Sequence, residues 1–321
     1  MDKVCIVGYG AIGPTHAAAI TKTEYAELYA VCECDAERLA KASTAYPEIV
    51  TFESFDEMLK DEAITSVHIC TPHYLHFEMA KKVILSGRKL VLEKPVAMNE
   101  EEFDELSELC RTHPNKVCIM FQNRYSACTQ ELLKRSKELG ELKGIFAALT
   151  WHKTMDYYNH DAWRGKLATE GGGVLINQSI HLLDILLLIG GEVESVRASC
   201  STKYLPIEVE DTLDALITLK NGARTCFYAT NAYVTDSPFR LEAIFEKGTL
   251  KLEDDSLYLY ADGNMTKLAT NSGNFCGKAY WGSGHQYLTE LFYSGGEYPT
   301  IFDTENTMRT MFAIYEDARK S

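Results

Sequence analysis

The chain predicts an α/β fold in which a doubly wound parallel sheet of the Rossmann type precedes a second, strand-rich domain. Three observations carry that expectation. Apolar strand-like runs alternate with helical runs over residues 1–122, and a Gly8-x-Gly10-x-x-Gly13 fingerprint sits between the first strand and the first helix. Beyond about residue 190 the helical pattern yields to successive strand-like runs with hairpin signals. A length of 321 residues exceeds one compact core, so the division expected is 1–122 and 123–321.

Taken in order, Val4 to Val7 forms a short apolar strand and HAAAITKT the helix after it. Gly8 suits the tight turn, Gly10 lets the backbone approach a pyrophosphate, and Gly13 lets helix and strand pack closely. Ala11 and Ile12 fill the loop, whose helix N-terminus would hold the phosphates. The second strand, ELYAVCE, ends in Glu33, 20 residues past Gly13 (33 − 13 = 20), where an acid accepts hydrogen bonds from a ribose. A carboxylate there opposes a 2′-phosphate, so the cofactor expected is NAD in preference to NADP; Arg38, on the next helix, is read as solvated. SVHICTP, KLVLEKP and KVCIMFQ read as further strands, with HFEMAKKVILSG and EEEFDELSELCRT as the helices between them. Ligands of such sheets lie beyond the C-terminal strand ends, here Thr71-Pro72, Glu93-Lys94-Pro95 and Gln122 to Tyr125.

The stretch GGGVLINQSIHLLD places Asn177 and His181 four residues apart on a helical pattern, hence on one face. From the stretch alone they are either polar groups satisfied in a core helix or a functional pair. The runs VESVRASC, TLDALITLK, ARTCFYATNAY, FRLEAIFE, TLKLE and SLYLY follow as strands, with turns at Asn221-Gly222 and Lys247-Gly248.

Composition narrows the partners. With 32 basic and 46 acidic residues the net charge is −14, and no basic block could follow a phosphate backbone, so neither nucleic acid nor an anionic membrane is expected. Ten scattered cysteines without a C-x-x-C pair read as reduced thiols of a cytoplasmic protein. LLDILLLIGG is short and broken by Asp184, and neither a signal peptide nor a membrane span is expected. No H-E-x-x-H, nucleophile triad or clustered Cys/His ligands stand out, and no metal is required.

The EKP tripeptide after an apolar strand, the glycine fingerprint upstream and GGG-x3-N-x3-H downstream together resemble the Gfo/Idh/MocA oxidoreductases, the glucose-fructose oxidoreductase and inositol dehydrogenase family. TPHYLH, Arg124-Tyr125, DYYNHDAWRG and the closing AIYEDARKS extend the resemblance over essentially the whole chain. It implies a Rossmann domain, then an α/β domain with a large, mostly antiparallel sheet whose outer face builds homodimers or homotetramers. The last helix is allowed to pack back on the first domain. The resemblance also implies that Lys94 and His181 flank the reacting carbon of a sugar, nucleotide sugar or cyclitol. Cofactor contacts are then expected from Thr71, Pro72, His76, Glu93, Lys94, Gln122, Trp163 and Arg164. Substrate contacts are expected from Lys94, Arg124, Tyr158, Trp163, Asn177, His181 and Tyr233, and the glycines are expected to let the chain pass close to the ligand. His16 is read as packing, and His285 either borders the cleft or caps a helix.

The reaction expected is hydride transfer between nicotinamide and a secondary alcohol or ketone. His181 acts as base in oxidation, and Lys94, fixed by a cis bond to Pro95 as in relatives, stabilises the alkoxide. Relatives of the inositol dehydrogenase type carry aspartate where this chain has Asn177, which can orient a hydroxyl or the imidazole but holds no charge beside His181. Asp184 either orients the imidazole or is structural. Two competing readings stay open: a non-catalytic dinucleotide-sensing regulator, and a redox-neutral NAD-dependent glycosidase. Residues 154–168 and 270–286 are where substrate choice is expected to reside.

Overall fold

The computed structural model of the protein describes residues 1–253, 255–271 and 283–320. Two compact units form. The first comprises Met1–Ala97, Glu101–Gln122 and Gly273–Thr304, the second Met98–Glu100, Asn123–Ser272 and Glu305–Ser321.

Unit 1 is built on six parallel strands: β1 (Asp2–Val7), β2 (Ala26–Cys32), β3 (Val50–Phe52), β4 (Ser66–Ile69), β5 (Lys89–Leu92) and β6 (Val117–Ile119). Their spatial order is β3-β2-β1-β4-β5-β6, so β1 pairs with both β2 and β4 and the order reverses at its end. Such a switch point is where a ligand meets a doubly wound sheet. The strands are apolar throughout because both faces are covered: Val4, Ile6, Val67, Ile69, Leu90 and Val91 are all buried. The helices are α1 (Gly13–Ile20), α2 (Ala36–Ala45), α3 (Phe55–Met58), α4 (His76–Leu85) and α5 (Glu100–Thr112). Late in the chain, α10 (Gly284–Ser294) returns to pack on α1.

Unit 2 centres on eight strands: β7 (Leu142–Thr150), β8 (Val193–Ser201), β9 (Thr212–Leu219), β10 (Arg224–Thr230), β11 (Arg240–Phe245), β12 (Gly248–Glu253), β13 (Ser256–Ala261) and β14 (Asn264–Thr270). Their order is β14-β13-β12-β11-β7-β10-β9-β8, and every neighbouring pair is antiparallel except β10 with β7. One face is packed by α6 (Ala127–Ser136), α9 (Ile180–Gly190) and α11 (Glu305–Ala318). The element that returns to unit 1 is therefore α10, whereas the last helix, α11, lies against β8 and α9. Alternation along the strands buries Leu213, Ala215, Ile217, Phe227 and Leu241 and leaves Leu216, Tyr228, Ile244 and Tyr260 exposed on the other face. The same outer face also carries the ion pairs of Arg240 and Lys251 with Glu242 and Glu253.

The segment Leu167–Gly190 is long and apolar enough to span a bilayer by composition, but 78% of its most apolar 18-residue stretch is buried inside the protein, as befits a core element. It comprises α8 (Leu167–Glu170), the glycines, a π-helical turn over Leu175–Ser179 and α9. The short α7 (Met155–His160) precedes it.

Candidate active site

In unit 1 the glycines behave as their spacing predicts. Gly8 has φ +90°, and a Cβ there would lie 2.8 Å from Cys70 O, while one on Gly13 would lie 2.5 Å from Gly8 O. Among the described residues, a Cβ on Gly10 would meet only the Arg38 guanidinium, 3.3 Å away, and no described backbone closes off that side of the turn. Helix α1 begins at Gly13 with Pro14 in its first turn and no side-chain cap, which leaves its amide end to a ligand; Ala11 is exposed and Ile12 half-buried in the approach. Glu33 is buried at the end of β2; Oε2 accepts from Tyr9 N (2.7 Å) and Oε1 from Asp35 N (3.0 Å). The acid thus braces the glycine turn and keeps lone pairs to offer.

The strand end at Thr71-Pro72 is tied to the one at Lys94-Pro95 through a buried imidazole. His76 Nδ1 lies 2.7 Å from Pro95 O and Nε2 lies 2.9 Å from Thr71 O. The Lys94-Pro95 bond is cis and Lys94 is half-buried. Next to it, Glu93 enters a cluster that the sequence reading did not assemble. His16 Nε2 lies 3.0 Å from Glu93 Oε1, His285 Nε2 3.5 Å from the same oxygen, and His16 Nδ1 2.8 Å from His68 Nδ1. His68 Nε2 is 2.9 Å from Tyr293 OH, itself 2.7 Å from Ser66 Oγ. Burial raises the Glu93 pKa, but the hydrogen bond from His16 and the nearby His285 imidazole overcome this and hold it well below the carboxylate range. Burial, then the neighbouring His16, holds His68 well below its usual value.

A carboxylate can only accept, so His16 Nε2 donates to it. For uncharged rings His68 Nδ1 must then donate to His16 Nδ1, and Tyr293 OH to His68 Nε2. His16, His68 and His285 sit on α1, β4 and α10, too far apart in sequence for spacing to signal them. His16, Glu93 and His285 have the donor set of a metal site, with ligand atoms within 4.8 Å of one another, and the His16 bond to Glu93 already accounts for two of them.

In unit 2 the expected pair lies on an unexpected backbone. The π-helical turn replaces the regular spacing between Asn177 and His181 with a wider one, and Ser179 Oγ bonds Val174 O at 2.9 Å. From Gly172 to Leu187 every residue is buried except Asn177 and His181, which are half-buried. The glycines have a different reason from the expected approach to a ligand. A Cβ on Gly172 would lie 2.1 Å from Tyr315 OH and one on Gly173 1.9 Å from Glu210 O, so protein already fills both places. Glu210 in turn accepts from Gly173 N (2.7 Å), Leu175 N (3.0 Å) and Tyr315 OH (2.9 Å), and Ile176 N donates to Tyr315 OH (3.2 Å). These bonds cap the start of the segment.

Around it, Arg164 stacks between the rings of Tyr157 and Trp163, at 4.5 Å from each, and donates to Tyr157 OH and to Asp161 Oδ2 (3.1 Å). Gln178 Nε2 donates to Tyr157 OH (3.0 Å), while Asn231 Nδ2 reaches Gln178 Oε1 (3.0 Å) and Tyr158 OH (3.2 Å). Burial pushes the Tyr158 pKa up. Gln178, Asn231, Glu170 and Glu210 were missed by sequence reading; only the placement of Gln178 beside Asn177 hints at one of them. Arg124, expected at the substrate, forms a buried bidentate pair with Asp184 at 2.7 and 2.6 Å, and Thr307 Oγ1 donates to the same acid at 2.7 Å. Of the two roles open to Asp184, these bonds describe the structural one. Tyr233 is exposed, with its backbone paired to Trp151 and His152. The expected specificity segment 270–286 falls outside the described residues over 272–282.

Known proteins fit both units. Residues 3–121 match the oxidoreductase family with an NAD-binding Rossmann fold, and residues 130–251 match the GFO/IDH/MocA C-terminal domain. An uncharacterized oxidoreductase of Synechocystis is 28% identical over 81% of this chain and 74% of its own. The D-glucoside 3-dehydrogenase of Escherichia coli is 25% identical over 68% of this chain and 67% of its own. The WlbA dehydrogenase of Bordetella pertussis, solved with NADH and UDP-GlcNAcA, is 26% identical with a TM-score of 0.84, covering 99% of this chain and 97% of its own. With the fingerprint, the strand order and both domains matched, the chain belongs to the GFO/IDH/MocA oxidoreductase family.

Proposed function

We propose that this chain is an NAD(H)-dependent dehydrogenase or reductase acting on a secondary alcohol or ketone of a sugar or nucleotide sugar. The observation that carries the reading is His181, one of two half-buried side chains on an otherwise buried helical run. A half-buried imidazole is a side chain suited to accept a proton near neutral pH. A D-glucoside 3-dehydrogenase and a dehydrogenase solved with NADH and UDP-GlcNAcA among the relatives support the substrate class.

The residues fit a dinucleotide. The turn at Gly10 is open, the α1 amides are uncapped, and Gln122 Oε1 is a buried acceptor without a hydrogen-bond partner among the described residues. The chemistry that a bound nicotinamide supplies is hydride transfer to or from carbon. This chain supplies the rest. In oxidation His181 takes the hydroxyl proton at a ring nitrogen, Lys94 donates to the oxygen as alkoxide character develops, and the carbonyl product leaves as His181 returns its proton to water. Reduction runs the same steps backwards.

Incubating the protein with NAD and a panel of sugars, glycosides and UDP-sugars, and following NADH by absorbance, tests the reading. Turnover of at least one member is expected. NAD binding without turnover across the panel favours the regulator; glycoside cleavage without net NADH favours the redox-neutral glycosidase.

A further inference from the structure

Glu170, the last residue of α8, has no part in the chemistry above. It is 1% exposed, and both of its oxygens accept: Oε2 from Gly165 N at 2.5 Å and Oε1 from Asn177 Nδ2 at 2.5 Å. A carboxylate has no hydrogen to give, so the Asn177 amide must present its N–H to Glu170 and turn its carbonyl oxygen the other way.

Resting on the function proposed above, we propose that Glu170 is a positioning residue: it fixes the Asn177 amide so that an acceptor oxygen, not an N–H donor, is offered to a substrate hydroxyl. The same contact explains why residue 177 is an amide. An aspartate there would set two carboxyl oxygens about as close as the present 2.5 Å pair, and two such groups cannot both ionise. Burial pushes the Glu170 pKa up, while the bonds from Asn177 and Gly165 and the nearby Arg164 guanidinium act against the rise.

The pair makes a cycle of variants whose outcomes differ in kind. In Glu170→Gln the new side-chain oxygen keeps the Gly165 bond and its NH2 group faces residue 177. The Asn177 amide must then reverse, with almost no change of shape, and offer N–H to the substrate. We expect kcat/KM to fall about tenfold or more on whichever sugar or UDP-sugar of the panel is turned over fastest, with the melting temperature nearly unchanged. In Asn177→Asp the two carboxyls share one proton, whose folded-state pKa is raised; the stability it supports is lost as pH rises, so the melting temperature should drop between pH 6 and pH 8. Combining both substitutions lets the new amide donate to the new carboxylate and restores an outward acceptor. The double variant should recover kcat/KM to within roughly threefold of the wild type and lose the pH dependence of melting.

A Glu170→Gln enzyme with wild-type kcat/KM, or a double variant no better than the poorer single one, overturns the assignment. If the wild-type protein turns over nothing in the panel, the proposed function fails, and the melting cycle reads the pairing by itself: restored stability in the double variant upholds the Glu170–Asn177 pair, and simple additivity of the two losses overturns it.

Discussion

Glu33 and Arg38 pull the cofactor preference in opposite directions. The Glu33 carboxylate is fixed at the end of β2 by the Tyr9 and Asp35 amides, and it favours a ribose diol. Arg38, read from sequence as solvated, brings its guanidinium to 3.3 Å from where a Gly10 side chain would begin, on the side where a 2′-phosphate could be met. The fixed buried acid should win. NAD is expected to bind at least about tenfold more tightly than NADP, a difference near 1.4 kcal/mol, and Glu33→Gln should narrow that ratio. Fluorescence titration of both cofactors reads it; equal affinities in the wild type would remove Glu33 from its role. Asn177 illustrates the limit of reading single residues. Its type and place were plain in the sequence, but the partner that decides its orientation, Glu170, lies beyond the glycines and shares no helical face with it.

At the scale of elements, two glycines separate ligand approach from packing. Among the described residues Gly10→Ala meets only the far end of the Arg38 side chain, so the melting temperature should hold while NAD affinity falls. Gly173→Ala drives a methyl into the Glu210 carbonyl and should cost roughly 1–3 kcal/mol or more, with NAD affinity unchanged in the folded fraction. A Gly173→Ala protein of normal stability would contradict the account of the glycines. The strands with a clear composition were legible: β1, β2, β4, β5 and β6 stand where apolar runs predicted strands, and β8 to β13 where strand-like runs with turn signals predicted them. The misses have local causes. β3 is as short as β6 and, like it, at a sheet edge, but two of its three residues are exposed and it lacks the apolar run that marks β6. β7 alternates over nine residues but lies ahead of the run of strands it joins, and its parallel pairing with β10 leaves no hairpin signal. β14 was announced by Asp262-Gly263, where both residues have positive φ, a turn signal that went unread. The π-helical turn has no composition of its own; buried Glu210 and half-buried Tyr315, distant in sequence, cap the start of the run that contains it.

For the whole molecule, acid should act on the two units with opposite sign. In unit 1 burial lowers the pKa of His68, His76 and His285, and the neighbouring His16 and His285 lower that of Glu93 against the effect of burial. The stability these histidines contribute is present above about pH 6.5 and is lost as pH falls toward their folded values; that of Glu93 is lost below about pH 4.5. Each such histidine removes up to about 1.4 kcal/mol per pH unit. In unit 2 burial raises the pKa of Glu170 and Glu210, whose contribution grows as pH falls. Hydrogen exchange at pH 7.5 and pH 5.5, corrected for intrinsic rates, should show unit 1 losing protection first; earlier loss in unit 2 would contradict the assignment. The central claim concerns chemistry, and a comparison of wild type with His181→Asn tests it most directly. Melting temperature, NAD affinity and kcat are to be measured on both proteins with the same substrate. The account predicts that the first two stay nearly unchanged while kcat falls by roughly 10² to 10⁴, the usual worth of a general acid or base. A variant that folds, binds NAD and keeps near-wild-type kcat would contradict it.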